Sequence, residues 1–278
     1  MLGLLLLLQV LASCLWLGHG EVVEAFKGEC AEFFYEKTPP SGALRPQNAV
    51  RICQKYDDKF RFATLYDKTN RIPVYSGYKY QPGNATRYDR WFVEPQLINK
   101  TYDMNMAEEG DIKRKYHINS TVIGQNQAID QDYMNLKDLD RGHLSPSSHH
   151  NDDKWSWATF TLTNIVPQDR KLNQNAWRNY EEKTMRHKNQ GCNTTYVITG
   201  AVPGNTKVPS GRVNIPSYIW SAACCVKDKK PLKAWAAIAK NEINKNEVKE
   251  LSLRKLENWL KKLYNGTVTL FKNSCTLE

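Results

Sequence analysis

Beyond its first twenty residues, this 278-residue chain has no apolar run near the roughly 18 residues that cross a bilayer, which excludes a multi-span membrane protein. It also has no internal repeat, low-complexity tract or Pro/Ser-rich linker. Nothing therefore divides residues 21–278, and a single domain with a substantial core is expected. No two cysteines stand at the two-to-four-residue spacing of zinc ligands, which argues against a structural zinc site. The opening stretch "MLGLLLLLQVLASCLWLGHG" contains no Asp, Glu, Lys or Arg, ends in small residues and gives way to the polar "EVVEAFKGE". Residues 1–20 are therefore expected to be a secretory signal cleaved near Gly20, which leaves no membrane span and sends the protein out of the cell. The same run is long enough for an uncleaved signal anchor. The tail "NSCTLE" carries no retention signal.

What remains fits an oxidising compartment. Cys14 falls within the signal, leaving Cys30, Cys53, Cys192, Cys224, Cys225 and Cys275. An even number of cysteines in a secreted chain predicts disulfides. Sequence does not choose the connectivity, although Cys30 with Cys53 is expected because both lie in the N-terminal segment. Asn84, Asn99, Asn119, Asn193 and Asn265 each begin an N-x-S/T sequon; together they point to a glycosylated, lumen-facing surface, so all five should be exposed. The net charge of +10 suits a polyanionic partner such as nucleic acid, sulfated glycan or anionic membrane, and equally serves solubility.

Alternation of apolar and polar residues on either side of "DKTN" predicts a β-hairpin, Phe60 to Tyr66 against Ile72 to Tyr80. "TFTLTNIVP" reads as a short strand ending at Pro167. "KLNQNAWRNYEEKTMRHK", with Leu172, Ala176, Tyr180 and Thr184 at steps of four, reads as a helix. "TTYVITGAV" and "SYIWSAACCV" read as strands, and "KAWAAIAK" as a strand whose alanines leave a helix open. An amphipathic helix carrying Val248, Leu251, Leu256, Trp259, Leu260 and Leu263 should cover the sheet. Neighbouring strands with helices between and after them indicate a mixed α+β layer.

The chemistry concentrates in "LDRGHLSPSSHH". His143 is the residue type that takes a proton from water near neutral pH. Arg141 is a permanent planar cation suited to phosphate. Gly142 permits backbone geometry that other residues resist, and Pro146 fixes the exit, so a turn is expected. Together they suit attack on a phosphate ester, while a loop of Asp140, Arg141 and His143 is equally a salt-bridged turn. Downstream, the Asn173 amide is a hard ligand for Mg²⁺ or an N-cap. Glu181 lies about 12 Å further along a regular helix, too far to share the ion directly, so it would hold a water of the metal or pair with Lys183 or Arg186. His149 and His150 suggest a transition-metal site with His143, but adjacent histidines point in different directions on most backbones. Trp155 and Trp157 could stack bases or pack at the half-buried surface.

The segments "DRGHLSP", "TFTLTNIVPQDRKLNQNAWRNYEE", "TYVITGAV", "NIPSYIWSAACC" and "KAWAAIAK", in this order, resemble the DNA/RNA non-specific endonucleases of the ββα-metal (His-Me finger) group. The signal, "FATLYD" and "RWFVEPQL" bring the chain nearest to the endonuclease domain-containing 1 proteins of vertebrates. The resemblance spans roughly residues 55 to 265 and implies an α+β fold with a central, mostly antiparallel sheet flanked by helices. It implies a metal-dependent endonuclease acting on DNA, RNA or both with little sequence preference, with Mg²⁺ as cofactor and Mn²⁺ able to substitute. His143 would then be the general base, Asn173 the one direct protein ligand of the metal, and Glu181 the holder of a metal-bound water. Asn164 would position the site, Arg141 would touch the phosphate or support its loop, and Asp140 would stand behind them. The family's phosphate-stabilising arginine falls at Arg87 or Arg90, with Arg87 favoured. The rival from another class is a protein that binds nucleic acid or another polyanion on this scaffold without cutting it.

Overall fold

The computed structural model describes residues 21–272 and Cys275; the expected signal, residues 1–20, lies outside them. The chain opens with strands β1 (Val22–Val23), β2 (Ala49–Tyr56), β3 (Lys59–Asp67) and β4 (Ile72–Lys79), each antiparallel to the next. The hairpin expected around "DKTN" is β3–β4. After helix α1 (Glu109–Tyr116) comes a separate antiparallel pair, β5 (Leu139–His143) and β6 (Ile165–Asp169), with the short helix α2 (Asp153–Ala158) between them. Helix α3 follows, built from Arg170–Leu172, two π turns at Asn173–Trp177 and Tyr180–Thr184, and Met185–Lys188. Strands β7 (Thr194–Val202), β8 (Tyr218–Lys227), β9 (Lys230–Lys240) and β10 (Lys249–Leu251) extend the first four into one eight-stranded antiparallel sheet, ordered β1-β2-β3-β4-β7-β8-β9-β10. Helix α4 (Leu253–Leu263) ends the fold.

Strand alternation assigns the two faces of this sheet to different partners. Ile198, Trp220, Ala222, Ala236 and Ile238 pack on one face with Leu253, Leu256 and Leu260 of α4. On the other face, Val197, Ala223, Trp235 and Ala237 meet Tyr180 and Met185 of α3, while Ala201, Ile219 and Ala239 meet Leu172 and Trp177. The sheet therefore separates α4 from the β5–β6–α3 unit and supplies the rigid floor beneath it. Adjacent Cys224 and Cys225 point to opposite faces, so their disulfides tie down different layers: Cys224 with Cys275 on the α4 side, Cys225 with Cys192 on the α3 side. The third disulfide is Cys30–Cys53, the expected pair.

Two expected elements differ, and a third keeps the expected form. "TFTLTNIVP" is not one strand, because a 3-10 turn at Leu162–Asn164 breaks it before β6 starts at Ile165. The tail helix begins only after Ser252, whose hydroxyl accepts from the Lys255 amide. Val248 and Leu251 lie outside that helix, since Lys249–Leu251 extends the sheet edge as β10. "KAWAAIAK" is a strand despite its alanines: a two-residue turn with positive φ at Asp228 and Lys229 folds β9 back on β8. Among the described residues no helix is long and apolar enough to cross a membrane.

Candidate active site

The "DRGH" segment is strand, not turn. Asp140 to His143 pair with Gln168 to Ile165 across β5 and β6. Gly142 does not supply a left-handed conformation; it makes room. A Cβ at this position would lie 2.1 Å from Gln168 Oε1 and 2.7 Å from Gln168 Cβ. The Gly142→Ala variant should therefore force β5 and β6 apart and lose about 1–3 kcal/mol of stability, read as a lower midpoint in thermal or urea unfolding.

His143 closes β5 and stands against two aromatic rings, Phe160 with centroids 4.8 Å apart and Trp91 at 5.7 Å. The residue is half-buried, but its Nε2 is enclosed and has no hydrogen-bond partner. Burial first, and the positive field of Arg87 second, push its pKa down to about 3, so the resting imidazole is neutral. Arg87 is exposed and lies over the same Phe160 ring, 5.5 Å from its centroid. Arg90, by contrast, is paired with Glu108 at 3.0 Å. Arg141 is also held. Its Nη1 meets Asp130 at 2.7 Å and its guanidinium lies between the rings of Trp91 and Tyr133, at 4.7 and 5.4 Å from their centroids. Of the two roles open to Arg141, supporting the loop is the one this geometry fits.

Asp140 organises the start of α3. Its carboxylate accepts from Asn173 Nδ2 at 3.0 Å, Gln174 Nε2 at 2.9 Å and Arg170 Nε at 3.1 Å. A carboxylate can only accept, so the amide nitrogen of Asn173 must face it and the amide oxygen is turned away from it. Asn173 is not the N-cap. That position belongs to Asp169, whose side chain accepts from the Leu172 amide at 2.9 Å.

Glu181 sits in the second π turn. Wider i→i+5 turns under both Asn173 and Glu181 shift side chains around the axis, so spacing along an ideal helix does not describe their separation. His149 fixes this turn from outside. Its Nε2 donates to the Glu181 carbonyl at 3.0 Å, which requires Nδ1 to accept from Tyr78 Oη, also at 3.0 Å. Desolvation raises the Glu181 carboxyl pKa to about 8, and among the described residues it forms no ion pair with Lys183 or Arg186.

Neither adjacent histidine is arranged as a metal ligand. His150 bonds Ser145 Oγ at 2.9 Å and stacks on Trp155, and both histidines are enclosed. Burial lowers both pKa values, His149 to about 4 and His150 well below its usual range. A depressed histidine pKa contributes stability that is present above the unfolded value near 6.5 and lost as pH falls, because only the unfolded chain takes the proton. The stability advantage of wild type over His150→Gln should therefore shrink below pH 6.5 by up to about 1.4 kcal/mol per pH unit, measured by urea unfolding from pH 7.5 to 4.5.

Asn164 is wholly buried and uses all of its amide. Its Oδ1 accepts from Ser76 Oγ and the Ser145 amide, and its Nδ2 donates to the Ser145 and Thr159 carbonyls. It thereby locks the segment after His143 onto β4. Trp155 is packed between His150 and Phe33. Trp157 donates to Thr86 Oγ1 at 3.2 Å, which places it beside the Arg87 loop. Among the described residues His143, Asn173 and Glu181 make no hydrogen bond to one another; Asp140 joins Asn173 to β5, and His149 joins Glu181 to the turn that follows it. No group of three or more His, Cys, Asp or Glu side chains arranged for a metal occurs among the described residues. The Asn173 amide oxygen is by its chemistry a hard donor, the kind that binds Mg²⁺ or Ca²⁺ together with waters.

A strand pair ending in a histidine, followed by a helix that offers an oriented amide and a partly buried carboxyl group over an antiparallel sheet, defines a ββα-metal nuclease fold. One chain of a crystal structure of the EndoG/EndoGI complex superimposes with a TM-score of 0.55, at 15% identity, covering 91% of this chain and 94% of that one. The chain belongs to the DNA/RNA non-specific endonuclease family, whose sequence model matches residues 40–271. It is similar to the human endonuclease domain-containing 1 protein, 35% identical over 260 residues that make up 91% of this chain and 48% of that protein. The mouse counterpart is 34% identical over 279 residues, 98% of this chain and 52% of that protein. The chain thus spans about half the length of these relatives. Bovine mitochondrial endonuclease G is 37% identical over 89 residues, 31% of this chain and 28% of that protein.

Proposed function

We propose that this protein is a secreted, glycosylated, divalent-metal-dependent endonuclease that hydrolyses phosphodiester bonds of DNA, RNA or both with little base preference. The observation that carries the reading is the Asp140–Asn173 bond, which ties a neutral amide, its oxygen turned outward, to the strand that ends in the neutral His143. Asn173 Oδ1 would hold Mg²⁺, or Mn²⁺ in its place, and Glu181 would hold its hydration shell. The ion supplies Lewis-acid stabilisation of the phosphate's growing charge. In this role His143 would carry its ring proton on the enclosed Nε2, leaving Nδ1 to take the proton from the attacking water. The negative charge of a bound phosphate raises the affinity of that imidazole for the proton. Arg87 contacts the phosphate, since Arg90 and Arg141 are held by Glu108 and Asp130. Contacts of this kind read the backbone and carry no base information.

Secretion is supported by the apolar opening stretch and by the three disulfides. For glycosylation, all five sequon asparagines are exposed, and where Asn99, Asn119 and Asn193 accept hydrogen bonds they do so through Oδ1, not the nitrogen that takes the glycan. The direct test is incubation of the secreted protein with supercoiled plasmid and with single-stranded RNA, in Mg²⁺ or in EDTA. Metal-dependent nicking is the expected result. Binding without cleavage across pH and metal would replace the enzyme with a polyanion-binding protein on a nuclease scaffold.

A further inference from the structure

A second buried polar centre lies beside β1, and among the described residues no cation is bonded to it. Glu21 is fully enclosed, and among the described residues nothing reaches its carboxyl oxygens except the neighbouring Glu94 carboxyl, itself an acceptor unless protonated. Beside it is Glu94, also fully enclosed; Thr161 and Thr163 donate to Oε1 at 2.5 and 2.8 Å, but Oε2 has no partner. Gln54 Oε1 is a further unpartnered acceptor in the same region, with its Nε2 bonded to Thr163. Every unmet atom in this group is an oxygen that accepts. Lys55 is the cation acting on Glu21, and its Nζ is engaged with Asp58 at 3.4 Å. Two carboxylates in a dry interior with no cation are costly, and natural interiors neutralise such charges by pairing or by protonation.

The nitrogen of Glu21 is already in this centre. It donates to Gln96 Oε1 at 2.8 Å, and Gln96 is held in turn through Nε2 by the Lys100 and Tyr102 carbonyls. The Val22 amide donates to the same oxygen, and the Glu21 carbonyl accepts from the Cys53 amide at 2.8 Å, so residue 21 is fixed at both ends. Glu21 is also the first residue after the expected cleavage site.

We propose that cleavage after Gly20 converts the Glu21 nitrogen into an α-ammonium that is the missing buried counter-charge for Glu21 and Glu94. The inference rests on the signal-cleavage reading and is independent of nuclease activity. Hydrolysis of the Gly20–Glu21 amide consumes one water, leaving a carboxylate on Gly20 and an amine on Glu21. At neutral pH that amine takes a proton, since an α-amino group titrates near 7.7–8.0 in the absence of partners. One donor becomes three: one stays on Gln96, and two become available for acceptors that have none. Because Glu94 is bonded to Thr161 and Thr163, next to Asn164, the same ion pair braces the segment that leads into β6. Maturation by the signal peptidase would thus complete the core as well as release the protein.

The test expresses the whole precursor in a secreting host in four forms: wild type, a Gly-Ser insertion between Gly20 and Glu21, Glu94→Gln, and both changes together. Intact-mass analysis of the secreted wild type should give an amino terminus at Glu21. The insertion keeps every side chain but moves the charge two residues away, and should lower the melting temperature by on the order of 5–10 °C. In the Glu94→Gln background the same insertion should cost less, because one of the two carboxylates that the ammonium pairs with is gone. A secreted protein starting elsewhere would overturn the processing step. A start at Glu21 with no effect of the insertion, or with an equal effect in both backgrounds, would overturn the ion pair and leave only steric disturbance.

Discussion

Replacing Asn173 with Ala should slow plasmid nicking at least about 100-fold at low Mg²⁺, and raising Mg²⁺ should restore part of the loss. The partial rescue follows from the geometry. Asp140 turns the Asn173 amide oxygen outward, as it does that of the more exposed Gln174 beside it, so removal of the proposed ligand Asn173 should weaken metal affinity and leave the rest of the site in place. Asp169 caps the helix, so loss of Asn173 does not uncap it. Titrating Mg²⁺ against initial rate in both proteins separates the roles. A shift in the half-saturating concentration supports ligation, whereas an equal loss at every concentration would assign Asn173 a structural role.

Arg87→Ala should lower turnover by about 10²–10³, the range for losing one preorganised group that stabilises transition-state charge, while Arg90→Ala should change it only a few-fold. Sequence left these two arginines three residues apart and chemically identical. They differ in their neighbours: Arg87 lies over Phe160 and acts on His143, while Arg90 is paired with Glu108 beside Tyr88. Parallel kinetics on single-stranded RNA and plasmid, with unfolding curves for each variant, check the assignment. Equal losses at both positions, or a larger one at Arg90, would contradict it.

The residues to which the proposal assigns chemistry stood out in the sequence because their types and order are unusual, whereas their supports did not. His143, Asn173 and Glu181 stand out as a base, a hard ligand and an acid in short motifs. That Asp140 orients Asn173 requires β5 to lie beside the start of α3, a contact across 33 residues that no local pattern reveals. His149 drew notice as a metal ligand because it precedes another histidine, yet burial and two hydrogen bonds make it the prop of the Glu181 turn. Gly142 was read as a turn residue because glycine usually marks one; here it clears space for Gln168, a reason visible only once the strands pair. Strands with strong alternation, such as Lys59–Asp67 and Ile72–Lys79, were found within a residue or two of their ends. The break at Leu162–Asn164 was missed because the apolar residues run straight through it. The π turns are invisible to periodicity, since they keep helical backbone angles at their flanks and alter only the hydrogen-bond register.

The central claim is that a neutral His143, held between Phe160 and Trp91, takes the proton from the attacking water. The measurement that tests it most directly is the cleavage rate of secreted His143→Ala beside wild type in Mg²⁺, with unfolding curves confirming that both are folded. The account predicts a loss of about 10²–10⁴ with the unfolding midpoint little changed. A folded His143→Ala protein that cuts at the wild-type rate would contradict it.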